Sequence, residues 1–185
     1  MVCAQNAWSL EQVRHYTGYP SEEDNEFWHA FWTNKQSAMG TRGVYTFGRL
    51  LKYRPMAMEW PDRSPILLPD GTPYVRQVAQ EKGIDIRIAL DVVHLALEQA
   101  YDVAILFTQD QDLSEAVDDV KAIAALQHRW VTVACAYPNN PRNNQNNRGV
   151  NRTDWKRISQ ADYATCLDPV DYRSKKPRTP PPTAP

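Results

Sequence analysis

The central part of the chain alternates apolar runs with a segment of helical periodicity. Residues 103–107 and 130–136 are almost entirely apolar, as expected for parallel strands that are buried on both faces. Between them, the apolar spacing predicts a helix from Asp112 to about Leu126. Its inward positions are Leu113, Ala116, Val117, Val120 and Ile123. Strand, helix and strand in this order predict a right-handed βαβ unit.

The N-terminal part predicts another strand, helix and strand. Residues 13–17 and 44–47 are the two short strands. Ser21 is the expected N-cap of the intervening helix, because acidic residues follow it, and the helix extends to about Met39. An aromatic stripe at i, i+4 spacing is interpreted as core packing. The stripe consists of Phe27, Trp28, Phe31 and Trp32.

A proline-rich segment and a second long helix lie between these two parts. Residues 55–73 predict an irregular loop or a hairpin excursion, and residues 74–80 predict a strand. A helix is predicted from Asp85 to about Gln99. Its buried face is predicted as Ile86, Ala89, Leu90, Val93 and Leu97, and its solvated face as Arg87, Asp91, His94 and Glu98. These elements together predict an α/β sandwich with a mostly parallel sheet.

The composition is that of an ordinary globular protein, with 42% hydrophobic and 23% charged residues. The three cysteines show no CxxC spacing, which disfavours a disulfide framework and a structural zinc site. The N-terminus has no basic region followed by an apolar run, and no apolar run approaches the length of a membrane span. We therefore expect a cytoplasmic protein with no membrane partner.

Charge is distributed unevenly along the chain. Residues 173–185 carry four basic and no acidic side chains and are rich in proline, so we expect a basic, disordered tail. Residues 1–172 then hold 17 basic against 22 acidic residues, a net charge of −5. Such a body lacks the basic surface of a tight nucleic-acid binder. It can still be a nuclease if its carboxylates hold divalent cations, because the ions invert the local field.

Three carboxylates are predicted to meet at one edge of the sheet. Asp110 and Asp112 follow the strand at residues 103–107, at the end where open α/β sheets bind their ligands. Asp85 begins a helix that enters from the same edge. Because neighbouring carboxylates repel, such a cluster favours a cation, and Mg²⁺ or Mn²⁺ suits its oxygen ligands. Water bound to such an ion can attack a phosphodiester.

Helix capping offers another explanation for two of these carboxylates. Asp112 lies three residues before Glu115, which is the spacing of a capping box. Asp85 can likewise be an N-cap. Asp110 precedes the predicted cap and has no such explanation. Asp-x-Asp alone is a common pattern, so the site prediction depends on all three carboxylates.

The loop after the second apolar run carries three cations. Arg142, Arg148 and Arg152 lie within the asparagine-rich residues 138–152, where they either position phosphates or are only solvated. Residues 153–155 predict the start of a short helix. The chain contains no GxGxxG, Walker A, GxSxG or HExxH motif, which disfavours dinucleotide-binding, P-loop, hydrolase-elbow and zinc-protease functions.

Two blocks of sequence resemble the NYN branch of the PIN-like superfamily. They are a KGxDxxxxxD block that begins at Lys82 and a YDxAxLxxxDxDL block over residues 101–113, and the resemblance covers about residues 9–172. It implies a Rossmann-like three-layer α/β/α sandwich, a Mg²⁺- or Mn²⁺-binding acidic pocket and an endoribonuclease that acts on RNA. By position, it implies catalytic and metal-binding roles for Asp85, Asp110 and Asp112, a metal-binding role for Asp154, and RNA contacts by Lys82, Arg142, Arg148 and Arg152.

One feature of the family has no counterpart in this sequence. Such proteins open with a strand that ends in an aspartate, in an IDGxN-like turn, whereas residues 1–8 resemble the end of the helix that follows it. We therefore expect residues 1–172 to form an N-terminally truncated domain. The alternative function is a catalytically impaired module that binds RNA or a protein partner. The oligomeric state, including a homodimer, is left open.

Overall fold

Seven strands lie in three separate sheets in the computed structural model, which describes residues 1–142 and 147–173. The elements in chain order are α1 (Val2–Gln5), β1 (Arg14–Tyr19), α2 (Glu22–Gly40), β2 (Tyr45–Leu50), β3 (Lys52–Ala57), β4 (Val75–Gln80), α3 (Ile84–Leu97), β5 (Val103–Leu106), a 3₁₀ turn (Gln111–Leu113), α4 (Ser114–Leu126), β6 (Thr132–Pro138), β7 (Asp154–Ile158) and α5 (Gln160–Thr165). The tail predicted at residues 173–185 lies outside the described residues from position 174 onward.

The chain divides into two units, each with its own contacts. The first unit comprises Met1–Val13 and Gly83–Pro169, and the second comprises Arg14–Lys82 and the described residues from Val170 onward. Within the described ranges, no helix is both long enough and apolar enough to cross a membrane. All three cysteines are free thiols.

The first unit contains a three-stranded parallel sheet in the order β5-β6-β7. The predicted βαβ unit is confirmed, because β5 and β6 pair in parallel and α4 connects them. The second strand is shifted from its predicted position to Thr132–Pro138, and Trp130 is 87% exposed. β6 is almost wholly buried, as an inner strand should be. β5 is only half-buried because it lies at an edge of this sheet.

One face of this sheet is covered by α3 and α4, which pack against each other. The inward face predicted for α4 is confirmed, since Val117 and Val120 are fully buried. Each such valine contributes about 1.5–3 kcal/mol to stability. The core of the unit consists of Ala96, Leu106, Leu113, Val117, Val120, Val133, Cys135 and Val150.

The buried face predicted for α3 is wrong in part. Ile86 is 67% exposed, and Leu90 and Leu97 are also exposed. Asp91, predicted to be solvated, is instead 3% exposed and forms an ion pair with Arg87 at 2.7 Å. The residues that contact the core are rotated from the predicted stripe, because α4 and the sheet together cover a different arc of the helix. Contacts with the core come from Ile88, Ala89, Val92 and Val93.

The second unit begins with a parallel pair, β1 and β2, joined by α2. The predicted N-cap is confirmed, since the Ser21 hydroxyl accepts a hydrogen bond from the Asp24 amide at 3.1 Å. Asn25 then breaks the helical dihedrals, and its side chain caps Trp28 N at 3.1 Å. The aromatic stripe is not a core, because no residue of α2 is buried. Phe27 and Trp28 are each 47% exposed.

The proline-rich segment belongs to an antiparallel hairpin. β3 and β4 pair along their full lengths, and isolated bridges continue the pairing at Glu59↔Pro65 and Leu67↔Pro73. Asp62 and Asp70 stabilise its two turns, because each side chain accepts a backbone hydrogen bond from two residues further along at 2.9 Å. The hairpin alternative of the sequence prediction is therefore the observed one.

The α/β class predicted from the sequence is confirmed by helices and parallel strands in both units. The strands do not form the single, mostly parallel sheet that was expected, because they are divided among three small sheets. The three-layer sandwich stays a prediction. The short helix predicted from residue 153 is wrong, since β7 begins at Asp154 and pairs with β6.

Candidate functional site

The acidic residues predicted after β5 lie in a tight turn at the carboxyl end of that strand. The Asp110 carboxylate accepts a hydrogen bond from the Asp112 amide at 3.0 Å and caps the 3₁₀ turn. The Asp110 amide in turn donates to the Thr108 hydroxyl at 3.1 Å. These two bonds fix the backbone and one carboxylate oxygen of Asp110, so the turn is held in place without a ligand.

The capping roles differ from those predicted. Asp110, which had no expected cap role, is the N-cap of the 3₁₀ turn. Asp112 does not cap α4, whose N-cap is Leu113 without a side-chain bond, so the predicted capping box with Glu115 is absent from this helix start. Asp112 is exposed, and no described residue donates a hydrogen bond to its carboxylate. Its charge is therefore available to a ligand.

Asp85 lies in the first turn of α3 and is exposed. Its predicted N-cap role is wrong, because the N-cap is Gly83, at φ 74°. Only glycine adopts this left-handed conformation at little cost, which explains the Lys-Gly sequence before the helix. Asp85 makes no capping hydrogen bond, and its charge faces the positive end of the helix dipole. Asp154, the first residue of β7, is also exposed.

Two glutamines join the acidic turn to the loop before β7. Gln109 Nε2 donates to the carbonyl oxygen of Arg148 at 2.9 Å, and Gln111 Nε2 donates to that of Gly149 at 3.0 Å. Gln111 Oε1 accepts from the Asn151 amide at 3.1 Å. Both ends of the Gln111 side chain are therefore bound to the loop, which is held against the Asp110–Asp112 turn.

A buried thiol lies beneath the same junction. Cys135 in β6 is fully buried, and its Sγ donates to the carbonyl oxygen of Thr108 at 3.0 Å. The same sulfur accepts from the Val150 amide at 3.3 Å. Gly149 lies so close that an added Cβ would be 3.0 Å from this sulfur and 2.9 Å from the Trp155 ring. The turn, β6 and the loop therefore form one packed unit.

The predicted RNA-contacting cations fall into different settings. Arg148 is exposed in the loop that Gln109 holds, and Arg142 is exposed at the edge of the described part of the loop. Arg152 forms an ion pair with Asp118, and its carbonyl oxygen accepts from Lys121 Nζ at 2.5 Å. Lys82 belongs to the second unit and is exposed. The structure thus places Arg148 directly beside the acidic turn.

The carboxylate oxygens of the turn are the type of ligand that a hard divalent cation prefers. Asp110 keeps one carboxylate oxygen that no described residue occupies, and Asp112 keeps two. Mg²⁺ commonly binds through one or two carboxylates and retains several waters. Within residues 1–142 and 147–173, however, no group of three or more His, Cys, Asp or Glu side chains is arranged to hold a metal. The convergence of Asp85 and Asp154 on this turn stays a prediction.

The sequence pattern predicted the carboxylates but not the groups that hold the turn in place. Gln111 and Cys135 carry no recognisable motif, because their role depends on contacts with residues about 40 and 15 positions away. Trp155, predicted to lie at the start of a short helix, instead lies in β7 and lines a pocket together with the next two residues. The aromatic and basic composition of this segment was the signal that could have identified it.

The comparison with known families gives one match. A family model described as the NYN domain matches residues 58–152, slightly more than half of the 185 residues. The matched range includes Asp85, Asp110 and Asp112 and ends before Asp154. No curated protein and no solved structure matches the chain.

Proposed function

Because the chain belongs to the NYN domain family, which is nuclease-like in general, we propose that it is a metal-dependent endoribonuclease that hydrolyses RNA phosphodiester bonds. The observation that carries this proposal is the Asp110–Asp112 turn at the carboxyl end of β5. Ligands of open α/β sheets bind at that end. The Rossmann-like three-layer sandwich and a cytoplasmic location belong to the same proposal.

Asp110 and Asp112 would hold a Mg²⁺ or Mn²⁺ ion, with Asp85 and Asp154 as further proposed ligands. The bound ion would supply an acidified water and neutralise charge on the phosphate. Asp110 contributes orientation, because its bond to the Asp112 amide sets the direction of its carboxylate. Gln111 contributes rigidity, because it holds the adjoining loop at both ends of its amide.

The proposed RNA contacts are the cations Lys82, Arg142, Arg148 and Arg152. Arg148 is the strongest candidate, because its backbone is anchored by Gln109 while its side chain is exposed. Arg142 and Lys82 are exposed and are further proposed phosphate contacts. The Arg152 guanidinium forms an ion pair with Asp118, so its contribution to phosphate binding would be smaller.

The direct test is RNA cleavage by the Asp110→Asn variant. Asparagine keeps a side-chain oxygen that can still accept from the Asp112 amide, so the cap and the fold should be retained while the charge is lost. We expect cleavage of an unstructured RNA with Mn²⁺ to fall by about 100-fold or more, since even outer-shell partners of metal sites cost 10–100-fold.

Asp119→Asn is the matched control, because Asp119 is exposed on α4 and makes no cap or ion pair among the described residues. Its cleavage rate should equal that of the wild type. Equal cleavage by the wild type and Asp110→Asn would exclude the assigned site.

The second candidate function is a catalytically impaired PIN-like module that binds RNA or a protein partner. It is favoured because only two of the predicted carboxylates, Asp110 and Asp112, lie in one turn. Among the described residues, no group of three or more His, Cys, Asp or Glu side chains is arranged to hold a metal. Calorimetry that detects no Mn²⁺ binding, together with RNA affinity that is lost on removal of residues 173–185, would support this alternative. Mn²⁺ binding with metal-dependent cleavage would exclude it.

A further inference from the structure

A second concave site lies in the first unit, beside β7. It is an open pocket of about 520 Å³, which is within the usual range for small-ligand sites of roughly 300–1,000 Å³. All of its lining residues are basic or uncharged, although residues 1–172 carry 22 acidic against 17 basic side chains. The lining residues are Gln5, Asn6, Tyr137, Trp155, Lys156 and Arg157.

Hydrogen bonds and ring contacts hold both cations of this pocket in place. Lys156 Nζ donates to Asn6 Oδ1 at 2.7 Å and lies 5.1 Å from the centre of the Trp8 ring. Arg157 Nε donates to the Tyr137 hydroxyl at 3.3 Å. Among the described residues, the two terminal nitrogens of Arg157 have no partner. A positioned lysine and a guanidinium with unused donors suit a phosphate group.

Tyr137 supports Arg157 from within the fold. Its side chain is fully buried, and its hydroxyl accepts the hydrogen bond from Arg157 Nε. This bond fixes the guanidinium at Nε, so its two terminal nitrogens are the groups that can donate to a ligand.

Trp155 supplies a flat apolar surface next to these donors. Its side chain is held by a hydrogen bond from Nε1 to the Val150 carbonyl oxygen at 2.8 Å and by an edge contact with Tyr137, at 5.9 Å between ring centres. The residue nevertheless remains 45% exposed. An exposed ring beside cations is the combination with which proteins bind single-stranded nucleic acid, where bases stack and phosphates pair.

The pocket is linked by contacts to the acidic turn. Trp155 is bound to Val150, and the neighbouring Gly149 accepts the hydrogen bond from Gln111. Gln111 itself lies between Asp110 and Asp112 in the sequence. A strand of RNA held at Trp155 would therefore lie next to the loop that borders the carboxylates.

We propose that this pocket binds one nucleotide of a single-stranded RNA, with its phosphate on Arg157 and Lys156 and its base on Trp155. The proposal rests on the proposed function, because it supplies the substrate class of that nuclease. It assigns the enzyme to single-stranded RNA, since a base stacked on Trp155 cannot remain paired in a duplex.

The test measures the affinity of the full chain for a fluorescein-labelled, unstructured RNA 12-mer by anisotropy, in EDTA, at several salt concentrations. Arg157→Gln should weaken binding about tenfold, and the slope of the salt dependence should fall by about 0.7, because one phosphate is no longer neutralised. Trp155→Ala should weaken binding at least about fivefold, because the base has no ring on which to stack. Arg76→Gln, at an exposed position of β4, is the matched control and should bind as the wild type does.

Circular dichroism establishes whether each variant is folded. If Trp155→Ala does not fold, the affinity and salt slope of Arg157→Gln alone test the pocket assignment. Unchanged affinity and salt slope in Arg157→Gln would overturn the pocket assignment. Equal affinity of the wild type for the duplex form of the same RNA would overturn the stacking of a single-stranded base.

EDTA separates this proposal from the nuclease activity. If Arg157→Gln loses affinity but the wild type does not cleave RNA with Mn²⁺, the pocket stands and the proposed nuclease function fails. If Asp110→Asn abolishes cleavage while Arg157→Gln binds normally, the nuclease function stands and the pocket assignment fails.

Discussion

Gln111 Nε2 donates a hydrogen bond to the carbonyl oxygen of Gly149 at 3.0 Å, across 38 positions of sequence. The other end of the same amide accepts from the Asn151 backbone at 3.1 Å. One side chain therefore connects the turn that carries Asp110 and Asp112 to the loop before β7. Both partners are backbone groups, so this junction limits the movement of the turn that carries the two carboxylates.

Gln111→Leu should loosen this junction. The variant leaves the Gly149 carbonyl and the Asn151 amide without their partner, and we expect a loss of about 1–3 kcal/mol in the free energy of unfolding. RNA cleavage should decrease as well, since the turn is no longer held. Urea denaturation measures the first effect, with Gln160→Leu on exposed α5 as the control. A stability equal to that of the control would contradict the structural role of Gln111.

Gly149→Ala should destabilise the first unit through crowding. The new Cβ would be 2.9 Å from Trp155 Cδ1 and 3.0 Å from Cys135 Sγ, and both side chains are fixed by hydrogen bonds. We expect a cost of about 1–3 kcal/mol. Gly40→Ala is the matched control, because no atom lies within 4 Å of its added Cβ.

Gly40→Ala itself should be neutral or stabilise by about 0.5–1 kcal/mol, because alanine restricts the unfolded chain. Thermal unfolding of the two variants side by side should show a lower melting temperature for Gly149→Ala and an equal or higher one for Gly40→Ala. Similar shifts for the two glycines would show that the close packing at Gly149 is not important for stability.

Asp91→Asn should be destabilising because Asp91 is 3% exposed and is paired with Arg87 at 2.7 Å. The loss should be about 1–3 kcal/mol, because a charge-assisted hydrogen bond is removed while the Arg87 side chain, 38% exposed, keeps its contact with solvent. Asp119→Asn on the surface of α4 should change stability by less than about 0.5 kcal/mol.

The double variant Asp91→Asn with Arg87→Gln isolates the pair. Its loss in unfolding free energy should be smaller than the sum of the two single losses, because the interaction is removed only once. Simple additivity would mean that the two side chains act independently.

Tyr101 should make stability depend on alkaline pH. Its hydroxyl donates to the Val92 carbonyl oxygen at 2.8 Å, and burial raises the pKa of Tyr101 to about 12, against an opposing effect of Arg129. Because the folded pKa lies above the ordinary value of 10.0, the neutral hydroxyl stabilises fully below pH 10. This contribution is lost as the pH rises through 12.

Tyr101→Phe should therefore be less stable than the wild type by about 1 kcal/mol at pH 8, because it lacks the hydrogen bond. The difference should shrink as the pH is raised from 10 toward 12, because only the wild type loses this contribution. Urea denaturation at pH 8, 10 and 11 tests the trend. A constant difference would contradict the raised pKa.

The sequence by itself determined the features that depend on neighbours along the chain. The periodicity of residues 113–123 identified the buried face of α4, and the apolar runs located β5 and β6 to within a few residues. Ser21 was recognised as a cap because its partner is three residues away. The two aspartate blocks identified the NYN family, which the family match confirms. Each of these signals is local, so the residues involved specify it directly.

Only the tertiary structure decided what depends on distant partners. The apolar spacing of α3 did not reveal that Asp91 is buried, because that depends on which arc of the helix α4 and the sheet cover. The stripe on α2 looked like a core, yet its burial requires a covering element that the residues of the helix cannot specify. The bond from Gln111 to Gly149 joins residues 38 positions apart. Long-range contacts of this kind form only when the whole chain has folded, so the sequence pattern does not record them.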